Sequence, residues 1–329
     1  MTTVDTRLVT RQFRGEEDLV RIADLWNLCE EVDQLGQGTN VNELRVEFSD
    51  PWLDKDRNVL LWDDAEGNLV AFAQIWTPNN DERVEGRIVY QAHPEYRSSG
   101  LEAQILDWGE QRLREISRER GLPAKSTVAV RDTQLSQIAL MESRDMTPER
   151  YTFVMIRDLD DLPPAELPAG FTIREIGDEA DGEAWIGMYN LSFIDHYNHH
   201  PLTFERWKNW LDDPDGRADL NLVAVAEDGT FAAFCWAGIN TAENERTGEN
   251  VGWIHLLGTR RGYRRIGLGR GILLTGLQRL KASGMNTAKL GVDAQSLTGA
   301  TRLYEAAGFT RDETWIKFTR NLEPATEQA

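Results

Sequence analysis

Hydrophobic and polar residues follow one another along the chain in a pattern that predicts one series of elements twice. "LVTRQFRGEEDLVRIADLWN" near the start predicts a short strand and an amphipathic helix, and so does "FTIREIGDEADGEAWIGMYN" at 171–190. "NVLLWDDAEGNLVAFAQIW" and "NLVAVAEDGTFAAFCWAGI" each predict two strands joined by a tight turn. "YRSSGLEAQILDWGEQRL" and "YRRIGLGRGILLTGLQRL" each predict a glycine-containing turn and a long helix. These matches recur at a nearly constant spacing, which indicates an internal duplication.

The segment "RDLDDLPPAELPAG" at 157–170 separates the two copies. It is acidic and rich in proline, a composition that favours an extended linker over a packed element. We therefore predict a first repeat at 1–160, a linker at 161–168 and a second repeat at 169–329. Each repeat is predicted to be an α/β unit, with an antiparallel-to-mixed sheet flanked by helices.

Composition limits the possible functions. The chain has 329 residues, a formal net charge of -19 and a pI near 4.7. So acidic a protein is a poor match for nucleic acid, whose backbone attracts a basic surface. Neither the start of the chain nor any later window has the apolar run of a signal peptide or a membrane span, so we expect a cytoplasmic protein that does not bind membranes. The two cysteines, Cys29 and Cys235, are expected to be buried free thiols.

One stretch has the opposite charge. "TRRGYRRIGLGR" at 259–270 contains five arginines and three glycines, between a predicted strand and a predicted helix. Glycines let the backbone approach a ligand closely, and the amides at the start of a helix attract anions. The sequence therefore predicts a site for a polyanionic ligand in the second repeat.

Two motifs in the second repeat carry a family resemblance. "RRIGLG" at 264–269 resembles the pyrophosphate loop of the GNAT superfamily of N-acetyltransferases, and "ATRLYEAAGF" at 300–309 is similar to the second characteristic motif of that superfamily. The resemblance covers the whole second repeat and, in a degenerate form, the first. The tandem layout is similar to that of mycothiol synthases and their actinobacterial relatives. The resemblance implies two GNAT domains, acetyl-CoA as cosubstrate, and transfer of an acetyl group to an amine.

The resemblance also implies which residues bind the cosubstrate. Backbone groups at the end of the strand before the loop would hold the acetyl and pantetheine parts, and the loop would hold the phosphates. Ser296 stands where relatives often have a residue that contacts the cosubstrate, although a plain turn role is equally open. Tyr304 would protonate the departing thiolate as general acid. The implied cosubstrate-binding residues are Leu257, Gly258, Thr259, Arg264, Arg265, Ile266, Gly267, Leu268, Gly269, Arg270 and Ser296.

The general base is less clearly indicated. His255 precedes the acetyl-binding segment, and an imidazole has a suitable ordinary pKa, although the residue could equally be a hydrogen-bonded histidine of the core. Glu249 lies further back and could act through water. In mycothiol synthases a glutamate is expected about four residues before the acetyl-binding segment, where this chain has Trp253.

The segment "SFIDHYNHHPLTFERW" at 192–207 is predicted to form the wall of the acceptor pocket, with Phe193 and His196 facing the substrate, although the helical spacing of its aromatic residues also fits packing in the core. Its three histidines have a spacing that suggests a metal site. However, no carboxylate or cysteine completes the set, so no metal is expected.

The first repeat is predicted to lack catalysis. Aligning the repeats places Glu102 at the position of Gly269, Met141 at that of Tyr304 and Asp145 at that of Gly308. A carboxylate in an anion-binding loop adds bulk and like charge, and a methionine cannot donate a proton. We therefore predict an N-acetyltransferase of a small-molecule primary amine, catalytic in the second repeat, as a monomer or homodimer. The alternatives are a non-catalytic acyl-CoA sensor or scaffold and a peptide N-acetyltransferase.

Overall fold

The computed structural model describes residues 8–197, 199–212 and 216–323. Contacts between residues divide the chain into two compact units. Unit 1 consists of the residues up to Glu149 together with those from Ile316 onward, and unit 2 consists of Arg150–Trp315. The predicted α/β class, a mixed sheet with flanking helices, is confirmed in both units.

Unit 1 has an antiparallel meander that continues into a parallel pair of strands. Its strands are β1 (Val9–Gln12), β2 (Val59–Asp63), β3 (Leu69–Trp76), β4 (Val84–Ala92) and β5 (Ala124–Arg131). Its helices are α1 (Glu16–Asp33), α2 (Val41–Glu47), α3 (Leu101–Arg120) and α4 (Leu135–Ser143). The first four strands pair antiparallel in chain order, and β4 pairs parallel with β5.

Unit 2 repeats this order, with one additional helix before the fourth of its own strands. Its own strands are β7 (Phe171–Glu175), β8 (Asn221–Ala226), β9 (Phe231–Gly238), β10 (Val251–Thr259) and β11 (Thr287–Asp293). Two further strands of the described residues are β6 (Thr147–Asp158) and β12 (Thr310–Leu322). Its helices are α5 (Gly182–Phe193), α6 (Phe204–Leu211), α7 (Thr241–Thr247), α8 (Leu268–Ala282) and α9 (Ala300–Ala306). Strands β7 to β10 pair antiparallel, whereas β10 and β11 are parallel.

The last strand of each repeat completes the sheet of the other unit. In unit 2, β6 pairs antiparallel with β11, from Thr287 opposite Asp158 to Asp293 opposite Thr152. In unit 1, the second half of β12 lies beside β5. Phe318 and Leu322 from that half are buried in the unit 1 core. The contact units therefore differ from the sequence repeats at their last strands: most of β6 belongs to unit 2, and the second half of β12 belongs to unit 1.

Each face of the unit 2 sheet carries its own core. On one face, α8 buries leucines against β9, β10 and β11, and Gly276 allows close packing because a Cβ there would lie 2.5 Å from Cys235 Sγ. On the other face, α5 and α6 pack an aromatic cluster against β8 and β9. The aromatic cluster comprises Trp185, Tyr189, Phe193, Trp207, Trp210, Phe234 and Trp236.

The arrangement in which the last strand of each repeat completes the other sheet is termed the strand exchange. It predicts which unit is destabilised by a core substitution. Phe318 and Phe309 lie nine positions apart in one repeat, are 1% and 2% exposed, and belong to the cores of unit 1 and unit 2 respectively. Replacing either by alanine should cost about 3–5 kcal/mol of stability. Hydrogen exchange should locate the loss from Phe318→Ala in β4, β5 and α3, and the loss from Phe309→Ala in α8 and β11. Loss of protection in unit 2 alone from Phe318→Ala would contradict the strand exchange.

Candidate active site

The parallel strands β10 and β11 separate halfway along their length. They pair from Val251 opposite Thr287 to Ile254 opposite Leu290, and no further. Beyond that point β10 continues to pair with β9, and β11 continues to pair with β6. Among the described strands, none covers the edge of β10 that faced β11. The segment Leu257–Thr259, predicted to bind the acetyl and pantetheine groups, lies in this uncovered part of the strand.

A β-bulge marks the place where the strands separate. The register between β10 and β9 shifts between Ile254 and Leu256, so His255 is the extra residue. Its ring lies against Gly238, since a Cβ on that glycine would be 2.6 Å from His255 Nε2. Gly238 and Trp236 share a strand face, so His255 stands on the side of the aromatic cluster. In unit 1 the corresponding strands pair residue for residue, and buried Ile88 occupies the matching position.

The protein surroundings of His255 keep its imidazole neutral. The His255 side chain is exposed to solvent, yet the protein atoms packed beside it displace part of its hydration and lower the pKa of His255 to about 4. The ring is therefore uncharged at neutral pH, with a free nitrogen lone pair, and it is a weaker base than an unperturbed imidazole. This environment was not evident from the sequence, which suggested only the ordinary pKa of histidine.

The glycine-rich loop leads directly into the first turn of α8. Gly262 and Gly267 have φ values of 102° and 89°, and Arg265 adopts a φ of 66° despite its side chain. No side chain in the described part of the chain caps the start of α8. The amides of that first turn therefore lack helical partners and are suited to an anion. The side chains of Arg265, Ile266 and Arg270 are exposed beside this turn.

Gly269 lies on the side of this turn that faces β10. A Cβ there would meet the Thr259 hydroxyl at 3.0 Å, so the first turn of α8 packs closely on the end of the strand. Leu268 is fully buried and anchors the turn in the unit 2 core. The predicted acetyl-binding and phosphate-binding segments are thus adjacent.

Arg264 uses its guanidinium within the protein. Nε donates to the Thr259 carbonyl at 3.1 Å, Nη2 donates to the Ser192 carbonyl at 2.8 Å, and Nη1 pairs with Asp195 at 2.7 Å. Arg261 also pairs with Asp195. These contacts attach the glycine-rich loop to the end of α5. Although the sequence suggested that Arg264 meets phosphate, the structure directs its side chain into this attachment.

Unit 1 contains the same attachment. At the matching position, Arg97 donates from Nε to the Ala92 carbonyl at 3.0 Å and pairs with both oxygens of Asp33 at 2.6 and 2.8 Å. Asp33 ends α1, as Asp195 follows α5. The arginine therefore has a structural role that is independent of any ligand. Sequence reasoning missed Asp195, which aligning the ends of the first helices of the two repeats would have revealed.

Tyr304 is 7% exposed and packs in the core on the α8 face, with its ring 6.0 Å from that of Phe309. Burial, and to a smaller degree nearby Cys235, raises the pKa of Tyr304. The phenol is therefore protonated and able to donate. Gly308 of the same motif has a φ of 89°, and a Cβ there would lie 2.6 Å from Arg157 Nη1, which explains the glycine.

Ser296 lies in the turn between β11 and α9. Its amide donates to the Asp293 carbonyl at 3.1 Å, and its hydroxyl lies 3.1 Å from that of Thr298. These contacts give Ser296 a structural role in the turn. Its half-exposed side chain lies near the end of β11.

The predicted acceptor residues lie at the edge of the aromatic cluster. The ring of Phe193 is 4.7 Å from that of Tyr189 and 5.5 Å from that of His196. His196 is exposed, and its Nδ1 lies 2.9 Å from the Tyr197 carbonyl. Burial and the neighbouring histidines lower the pKa of His199. Across residues 8–197, 199–212 and 216–323, no three His, Cys, Asp or Glu side chains are grouped to hold a metal ion.

In unit 1, a series of hydrogen-bonded side chains crosses the region that corresponds to the candidate site of unit 2. Tyr90 donates to Gln137 Oε1 at 2.7 Å, and Gln137 donates in turn to Glu102. Burial raises the pKa of Glu102, against the effects of Gln137 and Arg97. Met141 is fully buried at the position that matches Tyr304.

Comparison with known proteins identifies the family. A model of the acetyltransferase (GNAT) family matches residues 177–309. Mycothiol acetyltransferase from Thermobispora bispora is 31% identical over 265 residues, which cover 78% of this chain and 80% of that protein. The mycothiol acetyltransferase of Acidothermus cellulolyticus is 30% identical, covering 80% of each chain. The chain therefore belongs to the GNAT family of N-acetyltransferases, and to its tandem-domain, mycothiol acetyltransferase-like members.

Solved structures confirm two tandem GNAT domains. The crystal structure of a GCN5-related N-acetyltransferase from Sphaerobacter thermophilus superimposes with a TM-score of 0.72 and 26% identity, covering 98% of each chain. A tandem GNAT protein from the clavulanic acid biosynthesis pathway gives a TM-score of 0.73 at 14% identity, covering 97% of this chain and 99% of that one. The second likeness concerns the fold alone.

The helices of the described residues include none long and apolar enough to cross a membrane.

The low pKa of His255 predicts a pH-dependent contribution to stability. The pKa is about 4 in the folded protein and about 6.5 in an unfolded chain, so the unfolded state binds more protons between these values. As the pH falls through this window, the wild type should lose stability relative to His255→Gln. Denaturant unfolding of both proteins from pH 8 to pH 4 measures the difference, which should stay constant above pH 7. A difference that also stays constant below pH 6.5 would show that the pKa of His255 is not lowered.

Proposed function

We propose that unit 2 transfers the acetyl group of acetyl-CoA to the primary amine of a small molecule in the cytoplasm. The observation that carries this proposal is the uncovered edge of β10, which ends next to the uncapped first turn of α8. A backbone edge suits the amide-rich pantetheine arm, and the helix start suits the pyrophosphate. Both features belong to unit 2, together with the bulge at His255.

Each residue has a defined part in the proposed reaction. Amides of Leu257–Thr259 would orient the thioester and stabilise the oxyanion that forms when the amine nitrogen attacks the carbonyl carbon. His255, neutral above about pH 4, would accept the proton that the nitrogen loses. Tyr304 would donate its proton to sulfur as the carbon–sulfur bond breaks. The products are an amide and free CoA thiol.

We propose a small cysteinyl or amino-sugar amine as the acceptor. Two observations support this class: relatives of about 30% identity are named for mycothiol, and aromatic rings with an exposed histidine border the site. Trp253 takes the place at which mycothiol synthases are expected to carry a glutamate, so the exact acceptor need not be theirs. Within the second repeat, proposed at 169–329, Phe193 and His196 are the proposed acceptor contacts.

A panel assay tests the function. The protein is incubated with acetyl-CoA and one amine at a time, and released thiol is measured. The amines are cysteinyl-glucosamine, D-glucosamine, kanamycin and a peptide with a free N-terminus. Turnover with the cysteinyl conjugate or the amino sugar supports the proposal. Turnover with the peptide alone identifies a peptide acetyltransferase, and tight acetyl-CoA binding without any turnover identifies a sensor.

Tyr304→Phe should lower the turnover number at least tenfold while the dissociation constant for acetyl-CoA changes less than twofold. The reason is that a proton donor matters mainly in the transition state. Steady-state kinetics measure the turnover number, and titration calorimetry measures the dissociation constant for acetyl-CoA. Tyr151→Phe, at an exposed tyrosine of β6 in the same unit, is the matched control and should retain turnover. An unchanged turnover number in Tyr304→Phe would mean that the thiolate leaves without this acid.

Unit 1 is proposed to be non-catalytic, and an exchange of residues between matching positions tests this. Gly269→Glu should abolish activity and acetyl-CoA binding in unit 2, because it adds a carboxylate to the anion site and meets the Thr259 hydroxyl. Glu102→Ala should leave turnover within about twofold. Calorimetry on the wild type should show one functional site per chain. Substantial activity in Gly269→Glu, or its loss in folded Glu102→Ala, would contradict the prediction that unit 1 is non-catalytic.

A further inference from the structure

The segment that follows α5 in unit 2 is attached at two points close together in sequence. Asp195 is bound by Arg264 of the glycine-rich loop, which follows β10. Two residues later, the Tyr197 ring lies under the guanidinium of Arg150, whose Cζ is 4.0 Å from the ring centroid. Ile194–Tyr197 is called the acceptor segment below.

Arg150 is itself fixed at the end of β11. Its Nη1 donates to Gln295 Oε1 at 2.9 Å, and its Nη2 is paired with Asp293, the last residue of β11. Both charged side chains of this pair are largely buried, with 19% and 13% of their areas exposed. A guanidinium that is held in this way presents a fixed face to an aromatic ring.

The two attachments lie on the two strands that separate. Arg264 follows the end of β10, and Asp293 ends β11, while the pairing between these strands stops at Ile254 and Leu290. A segment that is attached to both strand ends runs across the opening between them. His196 lies between the two attachment points, and its Nδ1 contacts the Tyr197 carbonyl.

We propose that Arg150 is a positioning residue for acceptor binding, because it holds Tyr197 and thereby fixes His196 beside the opening. This inference rests on the proposed function of unit 2. Arg150 begins the part of β6 that belongs to unit 2, although β6 is the last strand of the first repeat. The first repeat, which is proposed to be non-catalytic, thus contributes a residue to unit 2. There, this residue sets the affinity for the acceptor.

Arg150→Met removes the charge and the planar group, whereas Arg150→Lys keeps only the charge. With cysteinyl-glucosamine as the probe, Arg150→Met should raise the acceptor KM about tenfold, while kcat and the dissociation constant for acetyl-CoA change less than twofold. Arg150→Lys should have an intermediate KM. Arg174→Met is the matched control, because Arg174 also lies over an aromatic ring, that of Phe231, and pairs with a carboxylate, Asp181.

Hydrogen exchange provides a second measurement that needs no turnover. In the protein without ligand, the amides of Asp195, His196 and Tyr197 should exchange about tenfold faster in Arg150→Met than in the wild type. In Arg174→Met their exchange rates should be unchanged. Tyr197→Leu removes the other partner of the ring contact. It takes the place of Arg150→Met in these measurements if Arg150→Met does not fold. In a double-mutant cycle, the effects of Tyr197→Leu and Arg150→Met on acceptor KM should be far from additive.

The outcomes separate this inference from the proposed function. If the wild type fails to acetylate any amine of the panel, the proposed function is wrong, while the exchange measurement still decides whether Arg150 orders the segment. Unchanged exchange in both Arg150→Met and Tyr197→Leu would overturn the inference. So would an Arg150→Met protein in which kcat, acceptor KM and acetyl-CoA affinity all deteriorate together, since that pattern indicates general structural damage.

Discussion

The separation of β10 from β11 is the constraint on which the rest of unit 2 depends. A strand edge can be hydrogen-bonded to a neighbouring strand or offered to a ligand, but not both. β11 can leave β10 because β6 keeps its other edge paired through Asp293, and β10 can leave β11 because β9 supports it to Thr259. The bulge at His255 changes the local twist at the point of separation. The backbone groups of Leu257–Thr259 on this edge are thereby released from pairing with β11 without loss of the sheet, and the Thr259 carbonyl accepts from Arg264 instead.

The arginine side chains of the glycine-rich loop and the start of α8 form two groups. Arg264 and Arg261 are engaged by Asp195 and hold the shape of the glycine-rich loop, whereas Arg265 and Arg270 remain exposed beside the start of α8. A protein with a net charge of -19 repels a polyanion at long range. The local arrangement of amides and exposed guanidinium groups must therefore act at short range. An arginine-rich motif thus contains side chains that build the site as well as side chains that face it.

Much of this arrangement could be predicted from the sequence because it is encoded locally. The glycine spacing, the hydrophobic periodicity and the duplication predicted the elements and the loop, and the resemblance to the GNAT superfamily singled out Tyr304. The bulge at His255 could not be predicted, since "GWIHLLGT" carries no glycine or proline at that point and the extra residue depends on pairing with β9. The role of Arg264 could not be separated from phosphate binding, because the same residue type serves both. The strand exchange arises from pairing between distant parts of the chain, which no local pattern reports.

The exchanged strands have a consequence for synthesis of the protein on the ribosome. Most of unit 1 precedes unit 2 along the chain, yet its sheet is completed only when the second half of β12 has been made, some 190 residues after β5. At translation rates of about 5–20 residues per second, the edge of β5 stays unpaired for roughly 10 to 40 s. The nascent first half therefore carries an open sheet edge, a known template for aggregation, throughout the synthesis of the second half. The unit whose strands are mostly made earlier is thus the unit whose sheet is completed later.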